Sequence, residues 1–163
     1  MEIPEPIRHS LVTLLHELID GPPGQAAFVL NVGDRGLLRS LDTLSAEAAS
    51  ARPNGRSSVA AHVDHVRYGL SLLNRWVGGE TNPWATANWS ESWTRVHVTD
   101  EEWTALRANL GRAAHAWIEG AGQARDVDDI ALGGVIGSVV HLGYHLGAIR
   151  QLAPVAAGPP ERG

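Results

Sequence analysis

His141-Leu-Gly-Tyr-His145 places two imidazoles four residues apart. On a helix, residues at that spacing lie one turn above each other on the same face. Two imidazoles so placed can share one transition-metal ion. The setting favours that chemistry, because the twenty residues from Ile130 to Ile149 contain no Asp, Glu, Lys or Arg. His141 and His145 share a stripe with Gly134, Ser138, Ala148 and Leu152, mostly small residues that leave room beside the rings. A second pair, His62 and His65, lies in the only other strongly apolar helical stretch that carries two histidines. A single histidine on an apolar face is commonly a core residue satisfied by a hydrogen bond. A pair plus a third inward histidine on another apolar helix points instead to a shared ion. Three neutral imidazoles around a divalent ion leave one coordination position open, as in a catalytic rather than a closed structural site.

Several other chemistries are excluded. No glutamate follows the first histidine, so the H-E-x-x-H arrangement of metalloproteases is absent. No Glu-x-x-His pair exists to build a di-iron site. The chain has no cysteine, hence no disulfide, no thiolate ligand and no thiol nucleophile of its own. All thirteen basic residues are arginine, so lysine Schiff-base chemistry is excluded as well. A net charge of −5 without a basic run argues against nucleic acid as a partner. No carboxylate sits on the histidine stripe of either helix. Asp64 is expected to face water, and Glu91 or Asp100 would reach a site only through loop folding.

The elements that must position these histidines are helical. Pro6–Asp20 carries Ile7, Leu11, Leu14, Leu15 and Leu18 at spacings of three and four and is stopped by Gly-Pro-Pro-Gly. A shorter helical piece is expected over Arg35–Leu44. The next long helix is expected from Ser58 to Val77 with Ser57 as its N-cap. Its stripe is Val59, Val63, Val66, Leu70 and Leu73, with His62 flanking it, His65 on the adjacent edge, and Asp64 and Arg67 on the solvent side. Glu80–Val98 reads as a long loop bearing Trp84, Trp89 and Trp93, and a long aromatic loop in a compact domain is usually functional. Thr99-Asp-Glu-Glu102 is a capping box that starts a helix to about Gly120, with Trp103, Leu106, Leu110, Ala114 and Trp117 inward. Asp126–Asp129 opens the last helix, which runs to Leu152. Phe28–Asn31 has strand-like composition but no partner strand. The expected fold is all-α, a four-helix bundle, with one domain over 1–153 and a disordered tail over 154–163.

Two segments carry a family resemblance. Ser58-Val-Ala-Ala-His-Val-Asp-His65 and His141-Leu-Gly-Tyr-His-Leu-Gly-Ala-Ile-Arg-Gln151 together resemble the DinB/YfiT-like metalloprotein family. The resemblance extends to the helix order and to the long loop between the second and third long helices. It implies an up-down-down-up four-helix bundle holding one divalent ion with His65, His141 and His145. Periodicity slightly favours His62 over His65 as the first ligand, so the choice of His65 comes from the resemblance. The family's polar residue after the final glycine is Ala148 here. Characterised members of that family include transferases and isomerases that use mycothiol or bacillithiol.

The expected function is therefore that of a metal-dependent enzyme, with zinc or nickel activating a low-molecular-weight thiol for transfer or isomerisation. The alternatives are a small hydrolase using metal-bound water and a metal or small-molecule binding module without turnover. His62, Trp84, Trp89, Trp93 and Tyr144 are candidate substrate contacts. The acidic start has no apolar stretch of a signal peptide. Ile130–Ile149 is long enough to cross a bilayer. Its five glycines, its histidines and the lack of a second span favour a bundle helix in a cytoplasmic protein with no membrane partner. The last helix is apolar on both sides, with Ile136, Val139, Gly143 and Leu146 away from the histidines. Its outer face is expected to be covered by the Phe28–Leu44 segment or by a second copy in a homodimer.

Overall fold

The computed structural model describes residues 1–160 and is all-helical, with no strand among those residues. Six α-helices follow in order: α1 (Glu5–Asp20), α2 (Gly36–Leu41), α3 (Ala46–Ser50), α4 (Val59–Val77), α5 (Asp100–Gly122) and α6 (Asp129–Leu152). The four long helices form one core. α4 packs on α5 and α6, and α1 packs on the same two. The strand-like Phe28–Asn31 is irregular backbone, and the expected piece over Arg35–Leu44 is the shorter α2 followed by α3, which the sequence pattern did not reveal.

Local chemistry explains the helix ends. Ser58, and not Ser57, caps α4, its hydroxyl accepting from the Ala61 N–H. The Thr99–Glu102 capping box opens α5 with both reciprocal bonds formed, and Asp128 caps α6 through the Ala131 N–H. The inward residues expected of α5 are all buried, Trp103 and Trp117 almost completely. Each of those indoles bonds its Nε1–H, Trp103 to the Leu44 carbonyl (2.8 Å) and Trp117 to the Ser138 hydroxyl (2.9 Å). A buried indole needs such a partner, because an unpaired N–H would cost about 1–3 kcal/mol.

The connector between α1 and α2 is held by two buried acids. The Glu17 carboxylate, on α1, accepts from the backbone N–H groups of Phe28, Val29 and Leu30 at 2.6–3.0 Å. Asp34 accepts from the Gly36 N–H (2.8 Å) and from Arg150 of α6 (2.7 Å). At Gly36, φ is +68° and an added Cβ would lie 2.3 Å from the Gly21 nitrogen, so only glycine permits the start of α2 to abut the end of α1.

α6 is long and apolar enough to cross a membrane by length and composition. It equally fits a core helix, and it turns Val135, Leu142, Leu146 and Ile149 into the interior. The face expected to lie outward is placed differently at three of its four residues. Leu146 is buried, Val139 packs against the core and Gly143 lies close to Leu18 of α1. Ile136 does lie on the solvent side as expected, and Val140 and Tyr144 join it there; the three are 46%, 66% and 68% exposed, so the Phe28–Leu44 segment does not cover them. Beyond α6, Pro154–Ala156 form a single helical turn that buries Ala156, so the stretch expected as a tail begins packed; its last residues, 161–163, lie outside those described.

Candidate metal centre

α4 and α6 bring their histidines together. His62 and His65, three residues apart, face α6, while His141 and His145, one turn apart, face α4. The Nε2 atoms of His65 and His141 are 3.2 Å apart, and those of His141 and His145 are 2.9 Å apart. Four-coordinate zinc with bonds of 2.0–2.1 Å sets its ligand nitrogens roughly 3.3 Å apart. Both separations from His141 stand within a few tenths of an ångström of that value, and all three ligand nitrogens lie within 4.8 Å of one another. His65, His141 and His145 are a cluster compatible with a metal ion, and no carboxylate joins them among the described residues.

The protonation pattern also fits a cation. Ser92 donates its only hydroxyl proton to the Trp89 carbonyl (2.7 Å). Its oxygen therefore accepts from His65 Nδ1 at 2.8 Å, which puts the His65 proton on Nδ1 and a lone pair on Nε2. Burial pushes the His65 imidazole down to about 4, with help from the neighbouring His141 and His62. Burial, then the neighbouring imidazoles, pushes His145 down to about 3, and burial lowers His62 and His141 as well. The rings are neutral near pH 7, the form that binds a metal. Lone pairs converging on one point repel each other unless a proton or a cation lies between them.

The loop over 80–98 forms one wall of this site. The Trp93 ring stacks on His65 at 4.3 Å and meets His62 edge-on at 5.0 Å, and Trp89 lies 5.6 Å from His65. Trp84 contacts no imidazole ring; it packs on Trp76 (6.2 Å) and lines a cleft beside His141 with Trp89. That cleft measures about 260 Å³ and is bordered by Leu70 and by Gly69, Gly134 and Gly137, whose missing side chains keep it open. Tyr144 meets His145 edge-on at 5.0 Å but is largely exposed, on a second cleft with His62 and Trp93.

One expectation is corrected here, and one residue of the site was not foreseen. Asp64 does not face water: it is buried and bonds Arg67 of its own helix (2.7 Å) and Arg95 of the loop (3.1 Å). Its periodicity was that of a solvent face, and only the folded loop covers it. Ser92 was not singled out, because a serine in an irregular loop carries no spacing signal. Of the remaining histidines, His16 and His115 bond Asp20 far from the cluster, and His97 lies by Asp64 and Arg95 rather than among the imidazoles.

The chain matches no protein-family model, no curated protein and no solved structure at a significant level. The class defined by fold and site is thus an all-helical protein with a three-histidine cluster compatible with a metal ion.

Proposed function

We propose that this protein is a metal-dependent enzyme of the DinB/YfiT-like type. In this reading α1, α4, α5 and α6 form the family's up-down-down-up bundle, and His65, His141 and His145 hold one zinc or nickel ion. The observation that carries the reading is the gathering of three imidazoles whose ligand nitrogens lie within 4.8 Å of one another, with the His141 Nε2 at 3.2 Å from that of His65 and 2.9 Å from that of His145, and with no fourth ligand among the described residues. Such an ion supplies Lewis acidity and lowers the pKa of a thiol or water bound at its open position.

The chain's own residues set the rest. It contributes no cysteine, so a thiolate nucleophile would come from a cosubstrate such as mycothiol or bacillithiol, which the cytoplasm keeps reduced. The cleft beside His141 is small and mostly apolar, with Trp84 and Trp89 on one side. It suits a compact, uncharged electrophile. The stacked Trp93 ring and the tilted Trp89 ring keep bulk water off His65.

Elemental analysis of purified protein should find one zinc or nickel per chain, lost in the His65→Ala/His141→Ala/His145→Ala variant. A panel pairing mycothiol or bacillithiol with small electrophiles should then show turnover that needs both metal and thiol. Metal retained by the triple variant would refute the site. Turnover at equal rates without thiol would refute the cosubstrate.

A further inference from the structure

His62 stands behind the candidate metal centre and contributes no nitrogen to it. It is 8% exposed, one turn before His65 on α4, and its Nδ1 lies 2.8 Å from His145 Nδ1. The other nitrogen of His145, Nε2, is the one 2.9 Å from His141 Nε2.

Two neutral imidazole nitrogens at 2.8 Å need one proton between them, since two N–H groups or two lone pairs would repel. There are two ways to place it. If His62 donated, His145 would carry its proton on Nε2, aimed at the point where His65 and His141 converge, and would be lost as a ligand. If His145 donates, its Nε2 is a lone pair directed at that point. His62 is then the Nε2–H tautomer. That nitrogen has no protein partner among the described residues, and it opens on the cleft shared with Ser57, Trp93 and Tyr144. The cleft is roomy enough for solvent to accept from that N–H. The edge-on Trp93 ring, 5.0 Å away at 86°, holds the His62 plane in place.

We propose that His62 is a positioning residue that accepts the Nδ1 proton of His145 and so fixes His145 in the tautomer that can bind a metal through Nε2. It does for His145 what Ser92 does for His65. A ligand histidine is usually tied through its second nitrogen in this way, and removing the partner typically lowers metal affinity 10–100-fold. The proposal rests on the metal-centre reading above.

The test uses the full chain, freed of metal with a chelator and then titrated with zinc against a competing indicator. Zinc uptake by the wild type tests the site itself; a wild type that takes up no zinc overturns the site and this proposal with it. His62→Leu keeps the bulk and removes the acceptor, and its zinc affinity should fall 10–100-fold. His62→Asn places an amide oxygen close to the lost Nδ1 and should restore most of that affinity, which a merely space-filling role would not do. Independently, long-range 15N–1H correlation spectra of the wild type should show His145 protonated on Nδ1 and His62 on Nε2. That measurement decides the matter even if the leucine variant does not fold. A His62 protonated on Nδ1, or leucine and wild-type proteins of equal zinc affinity, overturns the proposal.

Discussion

The imidazole cluster should make the metal-free protein sensitive to mild acid. His65 and His145 lie at about 4 and 3 in the fold, against 6.5 for an ordinary histidine. Because the folded values are depressed, the unfolded chain takes up protons first. The contribution to stability is complete above pH 6.5 and is lost as pH falls toward 4 and 3. At about pH 5 each unfolded imidazole is charged and each folded one is not, a difference of roughly 1.5 pH units or about 2 kcal/mol per ring. Part of each shift comes from the neighbouring imidazoles, so the two contributions are not independent, which reduces this to about 1–2 kcal/mol each, or about 2–4 kcal/mol for the pair. Urea unfolding in the presence of chelator, at about pH 7.5 and about pH 5, measures that loss directly. The carboxylates whose values are lowered, Asp20, Glu80 and Glu102, stay ionised throughout this window. The His65→Leu/His145→Leu variant should lose most of the dependence. If it loses the same stability as the wild type between the two pH values, the reasoning fails.

Four further outcomes follow from particular contacts. Glu17→Ala strands three backbone N–H groups under the connector; urea unfolding should show a loss of at least about 3 kcal/mol, with faster proteolysis between residues 21 and 35. Gly36→Ala forces a Cβ to within 2.3 Å of the Gly21 nitrogen at a positive φ, and thermal unfolding should show more than about 2 kcal/mol of destabilisation. Zinc should change the tryptophan fluorescence, since Trp93 stacks 4.3 Å from His65; an unchanged spectrum at one equivalent counts against the site. For the uncovered α6 face, we expect a homodimer. Light scattering at micromolar concentration should give twice 17.4 kDa, and Val140→Glu, on that exposed face, should give a monomer. A monomeric wild type would refute the dimer and leave the metal site untouched.

The chain's periodicity and end signals were enough for the long helices. Spacings of three and four in Pro6–Asp20, the Thr99–Glu102 box and the acidic opening of the last helix each act over one or two turns. The helical i, i+4 relation likewise put His141 and His145 on one face before any packing was known. Local signals reach no further than that. The start of α2 depends on the abutment of Gly36 against the end of α1 and on the Glu17 carboxylate that holds the connector before it, contacts between segments that no short window of sequence contains, while α3 is capped locally by Ser45 but is too short to show a periodic pattern. Asp64 lies on the polar side of its helix in any wheel, and only Arg95 arriving from the loop makes that side an interior. Three of the four residues expected on the outward face of α6 turn inward or toward α1, because both sides of the helix are apolar and the pattern holds no marker of which one meets α1.

The choice between His62 and His65 shows the boundary most sharply. Three residues on a helix are about 60° apart around the axis, so both point broadly at α6 and the stripe cannot rank them. The packing of α4 against α6 does. It brings His65 Nε2 to the convergence point and sets His62 Nδ1 against the back of His145. The sequence by itself determined which residue types face one another across two helices. Which nitrogen reaches which partner was decided by the tertiary structure, because an ångström of helix translation or a small rotation exchanges the two roles and neither is encoded in the spacing.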